Sequence, residues 1–547
     1  MAMALIEQAL WWQSGVFYQI YPRSFQDSDG DGIGDLRGVI QRLDYLSGTL
    51  GVDALWLSPF YPSPMDDFGY DVSDYTDVHP MFGDLATFDE FVREAHARDM
   101  RVIIDYVPNH CSQEHPWFVE ARASRDNPRR DWFYWRDAKP DGSLPNNWLA
   151  AFGGSAWQWD EVTQQYFLHT FLPEQPDLNW RNLEVKRAMF DVVRFWLDRD
   201  VDGLRIDALH FLMKDPGMRD EPLADGVSRT HKPMGEYEQL NHIHSVDHPD
   251  LHPVLQELRM LMDEYSTTPE TERVAIGEVH IFDWPRWSAY YGANLDELHL
   301  PFNFTLVKAP WQATAVREAV EGLESALQPG AWPNYVLGNH DEPRIASRMG
   351  PEATRVAMML LLTLRGTPTL YYGDELGMAD VPVPPELVQD PWGKRVEGLG
   401  LGRDPERTPM LWDASPNAGF TTPDANPWLP IAPDAATLNV AAQSSDPTSM
   451  LTLTKQLLEL RRTTLALALG TYCSVDPAPE ECFVFLREGG DERYLVALSF
   501  SDDERTITLP NLGHTTILVS THLDRDGEED TGALRLRPHE GLVLRVE

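Results

Sequence analysis

At 547 residues the chain is too long for one ordinary domain and points to two to four. Apolar residues make up 42 % and charged residues 24 %, which allows a sizeable core and argues against disorder. With 45 Lys and Arg against 86 Asp and Glu, the formal charge of −41 repels phosphate backbones and anionic lipid, so neither nucleic acid nor membrane is expected as a partner. The same charge reads either as a soluble acidic surface or as adaptation to high salt. Three cysteines, Cys111, Cys473 and Cys482, are too few for a disulfide scaffold or a four-cysteine zinc site. No stretch approaches the roughly 18 apolar residues of a membrane span. The start, Met1 to Gln8, has no basic segment before an apolar run, so a cytoplasmic protein acting on a small substrate is expected.

From about residue 15 to 375, short β-rich runs alternate with helical patterns. The runs are Val16–Tyr21, Ala54–Ser58, Val102–Val107, Gly203–Asp207, Val274–Glu278, Leu298–Phe302, Tyr335–Asn339 and Thr369–Tyr372. Between them Leu36, Val39, Ile40, Leu43 and Leu46 recur at spacings of three and four, as do Phe88, Phe91, Val92 and Ala95, and Phe190, Val193 and Leu197. Eight such units predict an α/β fold, a (β/α)8 TIM barrel, with a doubly wound open sheet as the alternative. The barrel is expected over 1–108 and 180–471. Residues 109–179, rich in Trp, Pro, Asn and Gly with no helical period, predict an inserted subdomain after strand three. Residues 376–435 are dense in proline and read as a long loop over one barrel mouth. From 472 to 547 the pattern turns to pure β. Phe483–Leu486 and Tyr494–Phe500 flank a Gly489-Gly490 turn, and Thr506–Leu509, Thr515–Ser520 and Leu542–Val546 follow, predicting a C-terminal antiparallel β-sandwich.

A parallel barrel carries its chemistry where strands end. There the sequence places Asp105-Tyr106-Val107-Pro108-Asn109-His110, Gly203 to Ala208, Glu278, and Asn339-His340-Asp341, with Asp66, Asp67 and Asp71 after run two. A single carboxylate at a strand end is usually a helix cap or a solvated group. Several on one mouth repel by several kcal/mol at low dielectric. Such repulsion yields an acid beside an ionised carboxylate, the pair that glycoside cleavage requires.

Those four segments resemble the signature regions of the α-amylase family of glycoside hydrolases. Gln175 to Trp180 and Gly402 to Met410 resemble its α-glucosidase and oligo-1,6-glucosidase branch. The resemblance implies Asp207 as the nucleophile, Glu278 as the general acid and base, and Asp341 as the group that binds two sugar hydroxyls. It implies that His110 and His340 donate to the same glucose, that Arg205 holds Asp207 ionised, that Asp67 and Arg403 clasp the non-reducing end, and that Tyr70 stacks beneath the ring. Such a pocket makes an exo-acting enzyme. Ala208, after the nucleophile, stands where valine accompanies α-1,6 cleavage in the family, and so leans toward α-1,4 substrates such as maltose.

The aromatics Trp148, Phe152, Trp157, Trp159, Tyr166 and Phe171 read mostly as a core for the insert, with Phe152 and Phe171 lining the acceptor side. Cys111 reads as a small buried apolar residue. Asp27, Asp29, Asp31 and Asp35 fall at positions one, three, five and nine of a calcium loop, with Gly32 at six and the Ile33 carbonyl at seven. Gly38 occupies position twelve in place of the usual glutamate, so an acidic turn without metal is the alternative. The resemblance favours structural Ca2+ or Mg2+ there, and no organic cofactor. Other readings are a glucosyl-transferring isomerase or mutase, an oligo-1,6-glucosidase, a polymer amylase, and a non-catalytic transporter-associated relative, which would lack the carboxylates. Monomer and homodimer are both compatible with the sequence.

Overall fold

The structure is a computed structural model, and it describes residues 5, 6, 8–226, 234–396, 398, 400–476, 478–508, 513–530 and 532–547. Most of the Met1–Gln8 start, and Leu509 at the end of one expected strand, lie outside the described residues.

In chain order, β1 (Phe17–Ile20), β2 (Ala54–Leu57) and β3 (Arg101–Tyr106) come first. β4 (Trp135–Arg136), β5 (Trp157–Asp160) and β6 (Gln165–Leu168) belong to the long segment after β3. Then follow β7 (Gly203–Ile206), β8 (Val274–Gly277), β9 (Leu300–Pro301), β10 (Asn334–Val336) and β11 (Thr367–Tyr371). Apart from β4–β6, these strands form one parallel sheet in the order β10-β11-β1-β2-β3-β7-β8-β9. A parallel bridge between Asn303 and Tyr335 joins β9 to β10 and closes the barrel.

The alternation of strand side chains explains why the site forms. Phe17, Ala54, Trp56, Ile103, Val274 and Ile276 make one cluster inside the barrel. Their neighbours Tyr18, Leu55, Ile104, Leu204 and Ala275 pack outward with the helices. Two residues on from Ile103, Gly203 and Ile276, the inward parity reaches Asp105, Arg205 and Glu278. The apolar interior therefore ends in charge at one mouth.

Asp84 accepts from the Thr87 amide and starts the helix Leu85–His96, and Asn182 likewise starts Leu183–Leu197. The pattern from Leu36 to Leu46 is α-helical only to Gln41. It gives way to a π-helix at Tyr45–Leu50, ended by Gly51 at φ 86°. The expected run Leu298–Phe302 shrinks to Leu300–Pro301, Pro301 having no N–H to donate, and the run expected at Tyr335–Asn339 is a strand over Asn334–Val336. The segment after β3 does contain a helix, Pro116–Ala123, which the sequence reading did not include. His115 caps it and Pro116 opens it, and eight residues are too few to reveal a period. Trp148 and Trp157 pack with Tyr134, Leu168 and Met218, whereas Phe152 and Phe171 turn toward Tyr237 and Trp392. The proline-dense segment is punctuated by helical turns at Pro385–Leu387, Pro391–Arg395, Pro405–Arg407 and Pro416–Gly419, each opened by its proline.

Beyond residue 470 lie β12 (Thr471–Ser474), β13 (Cys482–Gly489), β14 (Glu492–Ser499), β15 (Arg505–Thr508), β16 (Thr515–Ser520), β17 (Glu529–Asp530), β18 (Ala533–Leu536) and β19 (Gly541–Val546). They form an antiparallel sheet ordered β12-β13-β14-β19-β16-β17, and β15 pairs with β18. Ile507, Leu534 and Leu536 of that pair pack on Cys482, Val484 and Leu542 of the larger sheet. Gly490, at φ 60°, makes the tight β13–β14 hairpin possible. Buried Arg487 donates to the carbonyls of Thr363 and Gly470, tying this unit to the last turn of the barrel helix Pro351–Thr363. Among the described residues no helix is long and apolar enough to cross a membrane.

Candidate active site

Asp207 and Glu278 each extend a strand by one residue. Because Ile206 and Gly277 are register partners in β7 and β8, the two carboxylates emerge side by side. Neighbouring strands lie about 4.8 Å apart, so their side chains can approach the same atom. Asp105 and Arg205 are register partners one strand over. Arg205 is fully buried. Its Nη1 donates to Asp105 Oδ1 at 2.5 Å and to Asp207 Oδ1 at 2.9 Å, and its Nη2 stands 2.8 Å from Glu278 Oε2. One guanidinium thus holds three carboxylates, and it replaces the solvent they lost. Ala208 takes the left-handed conformation, φ 46° and ψ 32°, at a cost of roughly 1 kcal/mol. That kink turns its N–H onto Glu278 Oε2 at 3.1 Å.

Burial pushes the Asp207 carboxyl well up, and the Glu278 charge raises it further. Burial acts on Glu278 in the same direction, but Arg205 and His280 outweigh it and hold that carboxyl below the usual range. One proton therefore belongs to the pair, as for any two like charges forced into one site. These directions place it on Asp207, which Arg205 does not suffice to hold ionised, whereas attack by Asp207 requires it on Glu278.

Asp341 follows β10. Its Oδ1 accepts from Arg403 Nη1 at 3.0 Å and from Arg407 Nη2 at 2.7 Å. Arg403 also donates through Nη2 to Asp67 Oδ1 and to Asp390 Oδ1, both at 2.7 Å, and its guanidinium lies 5.0 Å from the Phe152 ring. Phe152 stacks on Trp392 at 4.7 Å, and Phe171 meets His110 edge-on at 5.2 Å.

Asp207, Glu278 and Asp341 line one cavity of about 550 Å³. Asp67, Tyr70, His110, Phe152, Phe171 and Arg403 line it too. Arg205, fully buried, does not line it. His340 does not line it: the ring is wholly buried, with Nδ1 2.7 Å from Gln19 Nε2 and Nε2 2.8 Å from the Tyr70 hydroxyl. Tyr70 is stacked parallel to His340 at 5.3 Å, and its hydroxyl also donates to Asp105 at 3.1 Å. Burial pushes His340 down to about 3 and His110 down to about 4, so both rings are neutral near pH 7. His110 Nε2 lies 3.0 Å from the Tyr70 carbonyl and 3.1 Å from Gln175 Nε2, and Gln175 also donates to Asp67 at 3.1 Å.

Several members of this network had no role in the sequence reading. Asp105, Gln175 and Arg407 stood inside the motifs, but only strand register and loop packing reveal their partners. Asp390, Trp392 and buried Lys214, which pairs with Asp177 at 3.0 Å, lie in segments with no recognisable spacing. Cys111 is buried.

In the first barrel loop, carboxylate oxygens of Asp27, Asp29 and Asp35 lie within 4.8 Å of one another. Asp31 is not in that set; its carboxylate accepts from the Ile33 amide at 2.8 Å. Three hard oxygen donors on a loop whose glycines Gly30 and Gly32 sit at φ 86° and 94° fit a hard divalent cation.

A closed parallel barrel with three carboxylates and their arginines around a sugar-sized cavity defines a carbohydrate-active enzyme. A family profile described as "Alpha amylase, catalytic domain" matches residues 19–470. The probable alpha-glucosidase of Rhizobium meliloti (strain 1021) is 42 % identical, covering 91 % of each chain. The oligo-1,6-glucosidase of Parageobacillus thermoglucosidasius is 37 % identical over 98 % of this chain and 99 % of its own. The crystal structure of the alpha-glucosyl transfer enzyme XgtA superposes with a TM-score of 0.92 at 41 % identity, covering 99 % of this chain and 100 % of its own. The chain belongs to the α-amylase family of glycoside hydrolases.

Proposed function

We propose that this enzyme is a retaining, exo-acting α-glucosidase. It releases terminal, preferentially α-1,4-linked glucose from short oligosaccharides such as maltose, through a covalent glucosyl-enzyme. The observation that carries this reading is the pair of carboxylates, Asp207 and Glu278, set on adjacent strand ends and held by one guanidinium. A retaining mechanism needs the two carboxyls about 5–5.5 Å apart. It also needs one charge and one proton between them. Once the proton shared by the pair has passed from Asp207 to Glu278, Asp207 attacks the anomeric carbon in the first half-reaction while Glu278 gives that proton to the departing glycosidic oxygen. In the second, Glu278 takes a proton from water, the water oxygen bonds to the anomeric carbon, and Asp207 leaves as a carboxylate. Asp341, His110 and Tyr70 orient the glucose. The buried Asp67–Arg403–Asp390 network closes the cavity end beyond it, which favours a terminal residue over the middle of a chain.

The test is a panel of maltose, isomaltose, sucrose, trehalose and p-nitrophenyl α-glucoside with products identified. Free glucose, released one unit at a time and fastest from maltose, is expected. Isomerised disaccharides without free glucose would instead establish transfer, the second reading, which the likeness to XgtA favours.

Ala208 lines the cavity beside Asp207. Ala208→Val should raise the isomaltose-to-maltose ratio of kcat/KM by about tenfold, the scale of a methyl-sized change in a pocket. An unchanged ratio removes the linkage argument.

Asp27, Asp29 and Asp35 would hold Ca2+ or Mg2+. The ion would neutralise their mutual repulsion and fasten the first barrel loop, away from the reacting carbon. Chelation should lower Tm by a few degrees, with recovery on adding Ca2+, and Asp27→Asn should abolish that response. A Tm indifferent to chelator in the unsubstituted enzyme would contradict the metal assignment.

A further inference from the structure

Two residues past Glu278 stands a histidine that none of the steps above uses. His280 Nε2 lies 2.8 Å from Glu278 Oε1, and the ring lines the same cavity. Its position is fixed by packing: it stacks on Phe304 at 4.1 Å with planes 18° apart, and meets His210 edge-on at 5.7 Å. The other carboxylate oxygen, Oε2, faces Arg205 and the Ala208 amide. Both Glu278 oxygens therefore face nitrogen groups able to donate. Donors on a carboxylate favour its charged form. That form suits the base of the second half-reaction and opposes the acid of the first.

We propose that His280 is a positioning residue that biases Glu278 toward its carboxylate form through the Nε2–Oε1 contact, and that the alkaline limb of activity reports this contact. The inference rests on the acid–base role assigned to Glu278 above. Among the described residues, the other charged or titratable groups around the pair are Arg205, Asp105, Asp207 and Asp341 at the strand ends, His210 after β7, Asp283 and Arg286 after β8, and Glu238, His242 and Glu342 on the cavity wall. All of them are retained when only residue 280 is substituted. In the second half-reaction the same contact would keep Glu278 ready to accept the proton of water, at the expense of activity at high pH.

The test is the pH profile of kcat/KM on maltose, whose alkaline limb reports the essential acid of the free enzyme. His280→Phe removes the donor and keeps an aromatic ring against Phe304. Its alkaline limb should move up by about one pH unit, with the acidic limb unmoved. His280→Gln retains an amide donor and should stay within about 0.3 unit of the unsubstituted enzyme. His280→Leu carries the same expectation as His280→Phe, should the latter fail to fold. An alkaline limb unmoved in the donor-free variant overturns the proposal, as does an equal shift in His280→Gln. Glu278→Gln separates this inference from its parent. If that variant keeps the alkaline limb, the acid–base role of Glu278 falls, and this proposal with it. If the limb disappears in Glu278→Gln yet stays in place in the donor-free variant, only the role of His280 falls.

Discussion

Asp207→Asn should lower kcat on maltose by at least about 10³ while KM changes little. The substitution is isosteric, and the Asn oxygen can still accept from Arg205. Arg205 keeps Asp105 and Glu278 as counter-charges, so the buried cation is not stranded. In the proposed mechanism what disappears is the negative charge that forms the bond to the anomeric carbon, and an amide is a poor substitute. The loss should fall equally on substrates with good and poor leaving groups, because every one of them needs the nucleophile. Steady-state kinetics on maltose and p-nitrophenyl α-glucoside measure it. A loss under tenfold on either would mean that another group attacks.

Glu278→Gln should show a different signature. On maltose, whose leaving oxygen must be protonated, turnover should again fall by at least about 10³. On p-nitrophenyl α-glucoside the leaving phenolate needs little help, so the first half-reaction should survive and the second should stall for want of a base. The expected result is a burst of nitrophenol of one equivalent followed by a slow steady state. Azide, which needs no base, should restore the second half-reaction and yield a glucosyl azide. A uniform loss on both substrates, with no burst and no azide rescue, would contradict the acid–base assignment. The comparison of the two variants separates attack from proton transfer, which no single substitution does.

The barrel was legible because its strands are short, near-apolar runs and the intervening helices keep a 3.6-residue period. Ala54–Leu57 and Gly203–Ile206 could be placed almost to the residue for that reason. Boundaries slipped where backbone chemistry departs from side-chain pattern. Pro301 withholds an N–H, and the Tyr45–Leu50 turn is π-helical although its apolar spacing is ordinary. The carboxylates of the site were legible because several of them converging on one barrel mouth repel one another and are costly without a purpose. Their arginines were only half legible. Arg205 was placed beside Asp207, but its sharing among Asp105, Asp207 and Glu278 follows from register, which one strand's sequence does not contain. Arg403, Arg407 and Asp390 meet across a proline-rich loop with no period at all. The ring of His340 illustrates the remaining gap: its motif sits at the strand end, yet its nitrogens are engaged by Gln19 and Tyr70 below the cavity wall.

These contacts also give the site its rigidity. The charged groups are held by groups that are themselves buried and paired, as Arg403 is by Asp67 and Asp390 and Tyr70 by His340 and Asp105. Little reorganisation is then left for the moment of reaction, which is the economical way to stabilise a developing charge.

Trapping with a fluorinated α-glucosyl fluoride, followed by peptide mass spectrometry, tests the covalent step most directly. A single glucosyl adduct on Asp207, which accumulates in the active enzyme and is absent from Asp207→Asn, is the predicted result. An adduct on another residue, or first-formed product of inverted anomeric configuration with no adduct at all, would contradict the account.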